Sequence, residues 1–162
     1  MKKLIFDSGV QEYQLVEGGK PLRFNPSDPN VYARFMAAMD KLPAIEDELV
    51  SKAKNLEQSE GDAQNSGAEV LKLMEEADRK VKQLLNEVFG GGNDFHEILC
   101  GVNLLGVGSN GERIITNLLT ALQPIMVSGA EKCAQQKVGA AVAKAQMNRA
   151  QRRAASRNGG KK

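Results

Sequence analysis

The chain has 162 residues, 41% of them apolar and only 4% aromatic, and its formal net charge is +2. That length suits one domain with a polar extension, and no run approaches the roughly 18 apolar residues of a membrane-spanning helix. The two cysteines, Cys100 and Cys133, exclude a disulfide framework.

The N-terminal stretch MKKLIFDSGVQEYQL acquires Asp7 and Glu12 and lacks the apolar segment of a secretory signal. A soluble intracellular protein is expected, with a core of Leu, Val, Ile, Ala and Met, a mix that favours helices over a β-sandwich. The net charge conceals an asymmetry. Residues 1–131 carry 13 basic and 20 acidic side chains, a net of −7, whereas residues 132–162 carry nine basic and no acidic ones, a net of +9.

Residues 3–24 predict a small hairpin or meander. Leu4-Ile5-Phe6 reads as a first strand, Asp7-Ser8-Gly9 as a turn, VQEYQLV as a second strand, and Leu22-Arg23-Phe24 as a third after the turn at 17–21. Asp28 then offers an N-cap and Pro29 the first helical position, where its missing N–H has no partner to lose. Val31, Phe35, Ala38 and Leu42 share one face of the helix that follows, with Tyr32, Met36 and Met39 beside them. Pro43 is expected to break or restart it, and Ile45, Leu49, Ala53 and Leu56 continue the stripe to about residue 59.

The polar stretch 59–67 reads as a loop, and Ser66 with Glu69 as a capping box for the next helix. Val70, Met74, Ala77, Val81, Leu84 and Val88 are spaced 4-3-4-3-4, a seam widened by Leu71, Leu73 and Leu85. Its width suits a helix pair within one chain, with pairing between copies in a homo-oligomer as the alternative. Glu46-Asp47-Glu48 and Glu75-Glu76-Asp78 are expected on solvated faces. Gly90-Gly91-Gly92 ends this helix, and Asp94 with Glu97 caps a short one. Ile114, Ile115, Leu118, Leu119 and Leu122 open another helix near Glu112, and Pro124 is expected to start a new turn. From Met126 to about Ser156 the chain is rich in Ala, Gln, Lys and Arg, with strong helix propensity. RNGGKK is expected to be a disordered end.

These elements define an α+β, mainly α fold: a short N-terminal β-hairpin within 1–24, a helical bundle, and a long basic C-terminal helix. A single domain over 1–125 and a tail over 126–162 are expected.

Chemical motifs are sparse. Gly106, Gly108 and Gly111 match G-x-G-x-x-G, but a dinucleotide turn needs a preceding strand and a βαβ unit, and no such alternation exists; the glycines read as a turn between helices. His96 and Cys100 stand four residues apart, short of the three or four ligands of a zinc site. No grouping of nucleophile, base and carboxylate is evident, so neither an enzyme nor a cofactor is expected. The basic tail, with Lys144, Arg149, Arg152, Arg153 and Arg157, could neutralise phosphates. It lacks aromatic residues to stack on bases, and contact with an acidic protein surface or plain solvation, with the basic end complementing the helix dipole, is favoured over nucleic acid.

PLRFNPSDPNVYARFMAAMDKL, FGGGNDFHEILCGVNLLGVGSNGERIITNLLTAL and the terminal NRAQRRAA, in that order after a small β segment, resemble a family of small proteins of Gram-positive phages and prophages. That family is described as a domain of unknown function and taken to be tail assembly chaperones. The resemblance implies a protein of the bacterial host cytoplasm that escorts the tape measure protein during tail assembly. It implies partner binding through the helical core, with Phe35, Met36, Met39, Leu71 and Met74 as candidate contacts, although each of them also suits a plain core position. A structural tail or head–tail component, and a nucleic-acid-binding accessory protein acting through the tail, are the competing readings.

Overall fold

The computed structural model describes residues 1–58 and 63–158; inside its helices, the side chains of residues 57, 63–66, 150, 152 and 154–158 lie outside that description. The elements are β1 (Gln11–Tyr13), β2 (Leu22–Phe24), α1 (Pro29–Gln58), α2 (Ala63–Phe89), α3 (Phe95–Ile98) and α4 (Ile114–Asn158). The fold is α+β, mainly α.

The hairpin is smaller than the sequence suggests. β1 and β2 pair antiparallel with Glu12 opposite Arg23, and these two side chains form an ion pair across the strands. Leu4, Ile5 and Phe6 join no strand and are exposed. The Asp7–Gly9 turn does form: the Asp7 carboxylate accepts from Gly9 N–H, and Gly9 adopts φ +68°. Residues 1–10 are all exposed, so the apolar side chains of Leu4, Ile5 and Phe6 gain no burial that would hold them in a strand.

α1 begins as predicted. Asp28 Oδ1 accepts from Asn30 N–H, and the Asp28 carbonyl accepts from Tyr32 N–H. The helix then runs through Pro43 without a break. An interior proline costs roughly 3 kcal/mol, but Pro43 lies on the exposed face, while Leu42 and Leu49 on the other face are buried. Burial of each such side chain returns roughly 1.5–3 kcal/mol. The same reasoning explains Pro124, exposed within α4 between the buried Leu122 and Met126. α2 also exceeds its expected start. It opens at Ala63 rather than after Ser66, because extending an established helix is far easier than nucleating one. Of the expected loop and disordered end, residues 59–62 and 159–162 lie outside the described residues.

α1 packs along α2, the intramolecular pair the seam predicts, and Val81, Leu85 and Val88 are almost fully buried. Glu48 of α1 bridges the pair, bonding Lys52 on its own helix and Lys80 on α2; hydrogen bonds from both lysines hold its carboxyl at about 2. Phe24, Phe89 and Phe95 join hairpin, α2 and α3 through successive ring contacts at 4.8 and 5.6 Å.

Two buried polar side chains organise the connections. Asn93, just past α2, donates to the Phe89 and Gly90 carbonyls and so covers the last turn of that helix. It also donates to the Arg23 carbonyl and accepts from Arg23 N–H, occupying the β2 edge as a third strand would. Asp78, expected on a solvated face, is instead 6% exposed. Its Oδ2 pairs with buried Lys82 at 2.7 Å and its Oδ1 accepts from Leu104 N–H at 2.7 Å. Burial of Asp78 comes from the 99–105 segment folding over α2, a contact that helical periodicity does not encode.

Asn93→Ala removes four hydrogen bonds and strands buried backbone groups that cost roughly 1–3 kcal/mol each. Urea unfolding is expected to register a loss of about 3 kcal/mol, with the β2 amides the first to lose protection.

Candidate protein-binding groove

The glycine-rich segment 104–113 sets where α4 starts. Gly108 N–H donates to the Glu112 carbonyl, Val107 and Arg113 form an isolated β-bridge, and Gly111 turns the chain at φ +82°. Two donors at the head of α4 that have no partner within the helix find one in the loop: Ile114 N–H bonds the Gly106 carbonyl and Ile115 N–H bonds the Leu104 carbonyl. The glycines thus make a turn between α3 and α4, as their lack of a βαβ setting predicts. Further along, Gly129 of α4 lies against the Pro26 backbone, where a Cβ would stand 2.0 Å from the Pro26 oxygen. These two attachments fix both ends of the packed half of α4.

α4 meets α1 over a much smaller area than α2 does. What remains between α1 and α4 is an open apolar groove made of two adjoining hollows of about 200 Å³ each, sharing Met39 and Leu119. Phe35 and Met126 form its floor, 4% and 0% exposed, while Met36 and Val127 stand on its rims at 47% and 42%. Leu42, Val81 and Leu105 close the far hollow, with Glu46 at its edge paired to Arg113 at 3.4 Å.

The five candidate contacts divide between two places. Phe35, Met36 and Met39 come together in this groove. Leu71 is exposed on α2, and Met74 packs half-buried against the small cluster of Leu49, Ala77 and Leu105; neither lines the groove. Tyr32, Leu119, Met126 and Val127 are groove residues the sequence reading did not single out. The signal for the α4 side was present in the spacing of Leu119, Gln123 and Met126, but the expected boundary near residue 125 assigned Met126 and Val127 to the tail.

In the tail, the side chains described from Ala134 to Arg149 are all exposed, Lys144 and Arg149 among them, as is Arg153. Arg152 and Arg157 belong to α4 by backbone, and their side chains lie outside the description. His96 and Cys100 are both exposed, and α3 ends at Ile98, so no helical turn presents them on one face. Among the described residues no group of three or more His, Cys, Asp or Glu side chains could hold a metal ion, and no helix is long and apolar enough to cross a membrane. Comparison with protein families, with curated proteins and with solved structures finds no match.

Rim and floor predict different responses to mutation. Met36→Asp and Val127→Asp should leave the unfolding free energy of the single chain, measured in about 0.5 M sodium chloride, within about 0.5 kcal/mol of wild type. Phe35→Ala and Met126→Ala should each cost about 3 kcal/mol. Urea titration of the four variants measures both.

Proposed function

We propose that the chain is a tail assembly chaperone that lodges apolar side chains of a helical partner in the α1–α4 groove, the partner being the tape measure protein of the same phage. The open apolar groove carries this reading: two joined hollows lined by Phe35, Met36, Met39, Leu119 and Val127 suit an amphipathic helix laid in a groove. Methionine adds adaptability, because its unbranched, polarisable side chain repacks around different neighbours. A repetitive helical client asks for that tolerance. The identity of the client and the host cytoplasm as the place of action rest on the sequence resemblance; the groove supports a protein partner as such.

A second reading draws on the exposed Lys144, Arg149 and Arg153 of α4, which suit phosphate contacts without base readout. The net charge of −7 over residues 1–131 opposes it.

Co-expression with the tape measure protein followed by size-exclusion chromatography decides between them. The chaperone reading predicts a soluble co-eluting complex that Met36→Asp with Val127→Asp disrupts. A tape measure that stays insoluble in the presence of the wild-type chain contradicts it.

A further inference from the structure

The groove has an acidic rim. At 3.6 residues per turn, Asp40 follows Met36 by one turn on the outer side of α1, Asp47 follows Pro43, and Glu131 follows Val127 on α4. All three acids are exposed, and Glu46 lies within the groove wall. The basic side chains nearby are engaged or directed elsewhere. Arg113 pairs with Glu46, and Lys41 lines the α1–α2 side with Leu84 and Glu87.

The same chain carries a segment of complementary chemistry. From Ala134 to Arg149, α4 continues as an exposed helix in which Ala134, Val138, Ala141, Val142 and Ala145 recur at helical spacing along one face. Val138 and Val142 are 63% and 50% exposed. Lys137 and Lys144 flank this stripe, Arg149 and Arg153 follow it along the helix, and no acidic residue follows Glu131. The dimensions agree. Tyr32 to Glu46 covers about 21 Å of α1, and Ala134 to Ala145 about 17 Å of α4, at 1.5 Å per residue. A continuous helix cannot fold back on itself, so this segment does not reach the groove of its own chain.

We infer that the α1–α4 groove of one copy receives the basic C-terminal helix of a second copy. Val138 and Val142 lie between Met36 and Val127, and the lysines and arginines face Asp40, Asp47 and Glu131. The exchange is reciprocal, each copy supplying one helix and one groove, which is the isologous arrangement of a two-fold dimer. The contact depends on the groove and the tail alone. It does not require the client proposed above, but it places the tail in competition with any client for the same surface.

Light scattering coupled to size-exclusion chromatography tests this on the full chain with no client present. The expected mass is twice the 17.5 kDa of the chain, falling toward the single mass as sodium chloride rises from about 0.05 to about 0.5 M, because rim charges are screened over that range. A tail variant, Val138→Asp with Val142→Asp, and a groove variant, Met36→Asp with Val127→Asp, should each weaken self-association by about tenfold or more. Circular dichroism should show both to be as helical as wild type. Mixed together they should regain a dimer, since the intact tail of the second fits the intact groove of the first. A monomeric wild-type chain at about 0.1 mM, within the range of a weak complex, overturns the inference; so does a dimer that survives either variant, or a mixture that fails to reassociate. Failure of tape measure binding alone, with this pattern intact, contradicts the chaperone reading and leaves the dimer standing.

Discussion

A carboxylate taken out of water has to be paired and hydrogen-bonded, or its burial costs more than the surrounding packing returns. Asp78 meets that requirement with both oxygens, and the arrangement of the chain beyond α2 follows from how it does so. One oxygen holds Lys82 one turn further along the same helix, and the other holds the amide of Leu104. The Leu104 carbonyl in turn accepts from Ile115 at the head of α4. A single buried carboxylate therefore links the middle of α2 to the start of α4 through one loop residue. Where α4 begins decides how far it stands from α1, and that separation is the groove.

Asn93 does the neutral counterpart of this work at the other end of α2. Its amide covers the last turn of the helix and fills the edge of β2, so a two-stranded hairpin too small to stand alone becomes part of the core through Leu22 and Phe24. The hairpin leads directly into Pro26, against which Gly129 of α4 rests. Two buried polar side chains thus fix α4 from both ends of its packed half, one by way of the 104–106 loop and one by way of the hairpin.

Elements with a local cause were legible in the sequence. Asp28 and Pro29 mark the start of α1, Asp94 caps α3 by accepting from His96, and the 4-3 spacing from Val70 to Val88 identifies the face of α2 that meets α1. What the sequence hid depends on contacts between distant residues. Pro43 and Pro124 look like helix breaks until the buried neighbours on the opposite face are known. Asp78 looks solvated until the 99–105 segment is seen to cover it. Leu4, Ile5 and Phe6 look like a strand, but no packed surface covers them. The groove was half legible: Phe35, Met36 and Met39 could be read from α1, but its other wall comes from α4, whose placement also depends on the link through Leu104 to Asp78 and on the contact of Gly129 with Pro26. α4 itself is one helix with two environments, buried as far as Met126 and Gly129 and exposed from Ala134 to Arg149, so the change from acidic body to basic tail occurs without a break in the backbone.

Hydrogen exchange at Leu104 and Ile115 in wild type and in Asp78→Ser tests the link from α2 to α4 most directly. If Asp78 positions α4, both amides exchange in the wild type only as slowly as the α2 core around Val81 and Leu85. In the variant the two should become faster together by at least about tenfold, a change of roughly 1.4 kcal/mol in local opening, while Val81 and Leu85 lag behind. Unchanged protection of Leu104 and Ile115 in Asp78→Ser would contradict the account, because the start of α4, and with it the groove, would then be held by something other than this buried charge.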